Sequence, residues 1–298
     1  MSVEGRELRL TNLDKVLYPE AGFTKGQVID YYARVAPAVL PHLRGRPLTL
    51  RRYPDGVAAD SFFEKRCPEH RPDWVPTAEV FAGSRVGEIE FCLCEDLPTL
   101  TWLAQLACLE LHPSLSLAES GERPSVLAFD LDPGEPATII DCARVALELR
   151  ELFGQFRLEC FPKTSGSKGM QVYLPLNSEV TYGETKPYAR AVAQLLEKRD
   201  PDRVVSVMKK EKRKGKVFVD WSQNDRRKTT VAAYSLRATP RPTASTPLDW
   251  EEVESALEAE DTEALSFEGD EVVRRVEDRG DLFAPVLELE QKLPELRS

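Results

Sequence analysis

The nonapeptide Val126-Leu127-Ala128-Phe129-Asp130-Leu131-Asp132-Pro133-Gly134 joins an apolar run to two aspartates and a Pro-Gly turn. An apolar run of this length bounded by a turn reads as a buried strand, and residues two apart in a strand share a face. The spacing therefore sets the carboxylates of Asp130 and Asp132 side by side at the strand end. Adjacent anions raise each other's pKa unless a cation lies between them. Oxygen-only ligands favour a hard ion such as Mg²⁺ or Mn²⁺. The alternative is a plain turn in which the aspartates cap backbone N–H groups.

Outward from this strand the chain alternates short strands and helices. On the N-terminal side, Leu8 to Asn12 reads as a strand, and Thr24 is a candidate N-cap for a helix running to about Leu40. Lys15 and Lys25 flank that helix start with Asn12, an arrangement open to a phosphate group or to two solvated lysines. Leu48 to Tyr53 forms a strand in which Arg51 and Arg52 point to opposite faces. In Ser61-Phe62-Phe63-Glu64 one aromatic is left over for base stacking or for packing under a loop. Gly87 to Cys94 alternates with period two. Leu97 to Leu111 reads as a buried helix ending near His112.

On the C-terminal side, Ala137 to Phe153 is amphipathic. Leu158 to Lys163 is a strand delivering Thr164-Ser165-Gly166-Ser167-Lys168-Gly169. Such a loop cradles phosphates or forms a flexible turn, and it lacks the spacing of a P-loop. The strand after it opens with Gln171. A helix is expected over Lys186 to Glu197. The basic run from Lys209 to Lys216 reads as a mobile loop too polar to pack. It leads into Val217-Phe218-Val219-Asp220, a third aspartate at the end of an apolar strand.

The net charge of −10 argues at first against nucleic acid. Its distribution reverses this, because residues 203–228 hold 10 basic and 3 acidic side chains, whereas 249–298 hold 5 basic and 17 acidic. Local fields act within a Debye length of roughly 8 Å at physiological salt, so a basic face remains open to DNA. No apolar run reaches membrane-spanning length and no signal-peptide pattern opens the chain, so a cytoplasmic protein is expected. The six cysteines are expected to be reduced, with Cys67, His70, Cys92 and Cys94 a weakly spaced zinc alternative.

Seven blocks in order extend over nearly the whole chain: TNLDKVLYPEAGFTKGQVIDYYARVAP, FFEKRCPEHRPDW, LELHP, FDLDPG, KTSGSKGMQVYLPL, KVFVDWSQNDRRKTT and AYSLRATPRPT. Together they closely resemble the polymerase domain of bacterial DNA ligase D, in the archaeo-eukaryotic primase superfamily. The resemblance implies an α+β fold, with an RRM-like palm sheet interlocked with an N-terminal α/β portion. It implies a catalytic domain over 1–248; the acidic stretch over 249–298 fits the family poorly in detail and is expected as a helical extension packed on the same domain. The implied activity is templated filling of short gaps at double-strand breaks, with NTPs preferred over dNTPs.

Asp130, Asp132 and Asp220 match the family's ligands for two Mn²⁺ or Mg²⁺ ions. Arg51, His112, Ser165, Lys168, Gln171 and Arg237 match nucleotide-binding positions. Asn12, Lys15 and Lys25 match a pocket for a DNA 5′-phosphate, and Phe62 and Phe63 match template-stacking aromatics. Lys212, Arg213 and Lys214 match a loop that aligns two ends. Gln171 departs from the family's usual histidine and carries no charge at any pH. The implied partners are gapped or broken DNA with a 5′-phosphate, NTP or dNTP, Ku and a DNA ligase domain, all at the nucleoid. No ligase or phosphoesterase motif accompanies these blocks. A de novo primase and a non-catalytic end-bridging module are the competing readings.

Overall fold

The computed structural model describes residues 1–81 and 87–294. In chain order the first elements are β1 (Ser2–Val3), β2 (Arg6–Glu7), β3 (Val16–Tyr18), β4 (Phe23–Thr24) and α1 (Lys25–Leu43). There follow β5 (Leu48–Arg52), β6 (Phe62–Glu64), β7 (Thr77–Phe81), β8 (Glu88–Cys92), α2 (Leu97–Gln105) and β9 (Cys108–Pro113). The middle of the chain forms β10 (Val126–Pro133), α3 (Ile139–Gly154), β11 (Phe161–Thr164), β12 (Met170–Pro175) and α4 (Tyr182–Arg199). Then come β13 (Val204–Val205), β14 (Val217–Asp220), α5 (Trp250–Ala259), α6 (Gly269–Arg279) and α7 (Pro285–Glu288). The mixture is α+β, as the sequence indicates.

Two compact units share these elements. One comprises Met1–Glu119, Thr229–Ser245 and Phe267–Asp281; the other takes Ser120–Lys228, Thr246–Ser266 and the chain from Leu282 onward. The acidic stretch after 249, expected as one extension, is thus divided: α5 packs on α3 in the second unit and α6 on α1 in the first.

In the first unit, β5 is the hub of an antiparallel sheet. It pairs with β9 along one edge and with β6 on the other, touching β8 at Leu48. Helix α1 begins where the sequence predicts, because the Thr24 hydroxyl accepts from the Gln27 amide while the Gln27 side chain accepts from the Thr24 N–H. This reciprocal box satisfies two amides that the helix itself leaves unpaired. Its buried face carries Tyr31 and Tyr32, whose hydroxyls donate to the carbonyls of Tyr234 and Leu109.

Three local expectations are corrected here. Residues 8–12 are not a strand; the short β1–β2 pair takes that place. Helix α2, capped by Asp96, stops at Gln105 because Ala107 adopts a left-handed φ of 56° and turns the chain into β9. His112 therefore lies on a strand and not at a helix end. Finally, Cys67 and Cys92 form a disulfide, the Cys67 amide having been drawn to the Glu90 carbonyl beside β8. Cys94, Cys108, Cys142 and Cys160 are buried free thiols.

In the second unit the sheet order is β11-β12-β10-β14-β13, antiparallel except for β13–β14. Alternation along β10 sends Phe129 towards α3, where its ring meets Phe153 at 5.8 Å. The aspartates take the opposite face. Among the described residues no helix is long and apolar enough to cross a membrane.

Candidate active site

The register of the second unit's sheet builds one rung across four strands. Lys163 on β11 stands opposite Gln171 on β12, Gln171 opposite Asp130 on β10, and Asp130 opposite Asp220 on β14. Directly paired residues project to the same face, so these four side chains share one surface, with Asp132 two residues along from Asp130. Gln171 is buried, and its Nε2 donates to Asp130 Oδ1 at 3.0 Å. The Tyr173 hydroxyl lies 3.5 Å from Gln171 Oε1, and the fully buried Lys163 ammonium sits 5.5 Å from the Tyr173 ring centre.

Asp220 is held differently. Its Oδ1 accepts from the Ser222 amide at 2.9 Å and hydroxyl at 2.5 Å, and its Oδ2 from Gln223 Nε2 at 2.9 Å. The Asn224 amide group extends the ladder beside β10 by bonding both the N–H and the carbonyl of Ala128.

Burial, then the charge of Asp132, hold the Asp130 carboxyl well above the usual carboxylate range; the Gln171 hydrogen bond only partly offsets them, and Asp220 adds to the rise. Among the described residues no three acidic, histidine or cysteine side chains converge closely enough to hold an ion as they stand. The donor set nevertheless fits a hard divalent cation. It is oxygen-only, it shares one face, and its innermost member resists ionisation because burial and the neighbouring carboxylates outweigh Gln171 and Lys163. A carboxylate has about four lone-pair sites, so even Asp220, accepting three hydrogen bonds, keeps a lone pair for a metal.

Two glycines bring other segments against this strand. A Cβ on Gly169 would lie 2.1 Å from the Leu131 carbonyl oxygen, so only glycine lets the Gly/Ser loop approach β10 between the aspartates. Within that loop the Ser165 hydroxyl accepts from the amides of Ser167 and Gly169, while Lys168 reaches outward to Glu135 at 3.1 Å. A Cβ on Gly134 would lie 1.9 Å from the Arg213 carbonyl oxygen.

The basic run docks there. The Gly134 amide donates to Lys216, and the Gly215 amide to Gly134 and Glu135. The Arg213 guanidinium lies 3.8 Å from the Phe218 ring centre. The run expected to be too polar to pack is therefore anchored through its backbone and one arginine. Lys212 and Lys214 belong to the same short loop.

The first unit holds the remaining candidates in two groups. Near the start of α1, the Lys15 amide donates to Asn12 and the Lys25 amide to Lys15. Lys15 pairs with Asp55 at 2.7 Å. Lys25 is largely buried, and desolvation with the Lys15 charge lowers its pKa. The structure thus draws Asn12, Lys15 and Lys25 into one turn.

The second group centres on a residue the sequence reading passed over, Glu110. It is 1% exposed. Its Oε1 accepts from the Tyr53 hydroxyl at 3.1 Å and the Ala238 amide at 3.2 Å, with Arg51 Nη1 and Arg237 Nε each at 3.5 Å. Its Oε2 meets His112 Nε2 at 2.9 Å. Burial alone would raise the Glu110 pKa, but the His112 hydrogen bond and the Arg237 charge, with further help from the Ala238 amide, bring it down to about 2. Desolvation holds His112 below its ordinary value, only partly countered by Glu110. A neutral His112 donating from Nε2 to an ionised carboxylate leaves Nδ1 as an acceptor.

Phe63, 60% exposed, meets His112 edge-to-face at 5.8 Å and lies 5.0 Å from the Arg51 guanidinium. Phe62 lies against Arg52, which is tied to Glu64. Arg51 and Arg52 do point to opposite faces.

Carboxylates thus stand matched across the middle of an antiparallel sheet, with a glycine-serine loop closed against them. Comparison with known proteins gives the class, a nucleotidyltransferase of the primase-polymerase type, and the family. The family model described as the LigD primase-polymerase domain matches residues 24–283, and the chain belongs to that family. It is 41% identical over 281 residues to the multifunctional non-homologous end joining protein LigD of Mycolicibacterium smegmatis, covering 94% of this chain and 36% of that protein. To the bifunctional LigD of Bacillus subtilis it is 34% identical over 275 residues, 92% of this chain and 43% of the relative. The chain thus spans less than half the length of these relatives. Its structure matches the polymerase domain from Mycobacterium tuberculosis ligase D in complex with DNA with a TM-score of 0.86 at 41% identity, covering 94% of this chain and 98% of that one.

Proposed function

We propose that this chain is a template-directed nucleotidyltransferase that extends a primer across short gaps at DNA double-strand breaks, taking NTPs in preference to dNTPs. The observation that carries the reading is the pairing of Asp130 with Asp220 on one rung, with Asp132 beside them on the same face. Asp130, Asp132 and Asp220 would hold two Mn²⁺ or Mg²⁺ ions, which supply charge neutralisation at the triphosphate and activation of the primer hydroxyl.

The protein's own part is positioning. Gln171 fixes the rotamer of Asp130 from one side, and Ser222 with Gln223 fixes Asp220 from the other. The Ser165–Lys168 loop offers backbone N–H groups and one ammonium to phosphate oxygens. Arg51, Arg237 and His112 contribute an anion-binding array, and Phe62 and Phe63 offer apolar faces to a base. Lys15, Lys25 and Asn12 grip the 5′-phosphate of a downstream strand, a role supported by two cations at a helix N-terminus. The anchored loop carrying Lys212, Arg213 and Lys214 contacts the second DNA end. Ku and a DNA ligase domain are proposed partners, and the site of action is the nucleoid.

The test is extension of a primer across a short gap, with and without a 5′-phosphate on the downstream strand, comparing Mn²⁺ with Mg²⁺ and NTPs with dNTPs. Templated addition that is stimulated by the phosphate and abolished in Asp130→Ala supports the reading. Extension that survives Asp130→Ala refutes the carboxylate assignment, and synthesis without a primer points to a de novo primase.

A further inference from the structure

We infer that Glu110 is a positioning residue: a single buried carboxylate arrays Arg51, Arg237, His112 and Tyr53 as a pre-formed receptor for a polyphosphate. The inference rests on the proposed nucleotidyl transfer only for the identity of that anion.

A carboxylate at the floor of an anion site is electrostatically adverse, since it repels the ligand the arginines attract. Glu110 is nevertheless placed so that four side chains from three segments meet it. Arg51 and Tyr53 come from β5 and the residue after it, His112 from β9, and Arg237 from the strand-like segment that runs back along β9. The Ala238 amide joins them, fixing the backbone beside Arg237. The strong bonds on Glu110 are those of His112, Tyr53 and Ala238, whereas both guanidinium groups stand at 3.5 Å. At that distance they are oriented without spending their best donor geometry.

The Arg51 guanidinium also lies 5.2 Å from the Tyr53 ring centre and 5.0 Å from that of Phe63. Its Nε is buried and has no hydrogen-bond acceptor among the described residues. A guanidinium packed against two rings, with one N–H short of an acceptor, is held in place ahead of an oxyanion such as phosphate, whose oxygens its fork can meet in pairs. With two arginines against one carboxylate and a neutral histidine, the array keeps a net positive charge.

Charge and geometry predict opposite signs for Glu110→Gln. If Glu110 matters only as a charge, removing it strengthens anion binding. If it positions the array, anion binding weakens despite the added net positive charge, roughly ten- to hundredfold for a misplaced clamp. The experiment uses the full chain and inorganic tripolyphosphate in EDTA, followed by titration calorimetry, with KM and kcat for NTP measured on the same preparations. We expect weaker tripolyphosphate binding and a raised KM with kcat little changed. Tighter or unaltered binding overturns the inference.

A second readout needs no anion. The His112 imidazole, one of only three in the chain, is titrated by NMR in wild type and variant. Loss of the Glu110 hydrogen bond and charge should move its pKa further down, and an unmoved His112 overturns the positioning role. If wild type shows the His112 dependence but no affinity for tripolyphosphate, the assignment of the anion is refuted while the positioning role is upheld. Should Glu110→Gln fail to fold, Tyr53→Phe removes one donor and keeps the carboxylate. A raised KM supports the array, and an unchanged KM overturns it.

Discussion

Glu110 also makes a measurable claim about stability, independent of any ligand. A carboxyl whose pKa is lower folded than unfolded adds stability wherever the unfolded chain would hold a proton that the native chain refuses. The Glu110 value of about 2, against 4.5 for an ordinary glutamate, is a difference of 2.5 units. At about 1.4 kcal/mol per unit, the contribution is about 3 kcal/mol. It is complete above pH ~4.5 and is lost as the pH falls towards 2. The side chain is buried, so screening by solvent takes little from this figure.

Glu110→Gln cannot titrate, and its stability should therefore lack that portion of the pH dependence. Urea unfolding followed by circular dichroism at pH 7, 5, 4 and 3 gives the gap between wild type and variant. The gap should be near-constant from pH 7 to 5 and shrink steadily below. A gap that stays the same down to pH 3 would mean that His112, Arg237 and Arg51 do not hold this carboxylate ionised, and the array would lose its physical basis.

Three other perturbations test the remaining architecture. Asp130 has a raised pKa, so in EDTA its ionisation costs stability as the pH climbs above the usual carboxylate range. Asp130→Asn should match wild type at pH 4 and exceed it in thermal midpoint at pH 8, and saturating Mg²⁺ or Mn²⁺ should raise the midpoint of wild type only. Gly169→Ala forces a Cβ to within 2.1 Å of the Leu131 carbonyl and should cost about 1–3 kcal/mol in urea unfolding, with primer extension falling more than stability explains. Thr24→Ala removes the cap of α1 and should cost about 1 kcal/mol by the same assay. A loss under 0.3 kcal/mol would show the cap to be redundant.

The sequence was most legible where local chemistry and tertiary role coincide. The apolar run, the paired aspartates and the Thr24 cap each carry their signal within a few residues, and β10, β14 and α1 fall where expected. Glu110 was missed for a definite reason. Read as the end of a helix, residues 110 and 112 point apart; as a strand, they share a face and meet. The stop after Gln105 was hidden because its left-handed turn is made by Ala107, where glycine would have announced it. The anchoring of the basic run was equally hidden, since it depends on backbone amides meeting Gly134 from 80 residues away. Gln171 reads as a weakened phosphate ligand in sequence; its hydrogen bond to Asp130 is a matter of register across β10 and β12, which no local pattern reveals.

The six alternating segments that make up the two units impose an order on synthesis. All five strands of the first sheet have left the ribosome once Pro113 is exposed, yet the face of α1 that receives α6 and the segment bearing Tyr234 and Arg237 must wait for residues up to Asp281. For most of translation, then, apolar surface that will end up covered is held open, and nascent-chain chaperones have a long window in which to engage it. Neither unit can be cut out as one continuous piece. A split version would have to break within a single unit's loop, and a circular permutant would inherit the same interleaving from a different starting point.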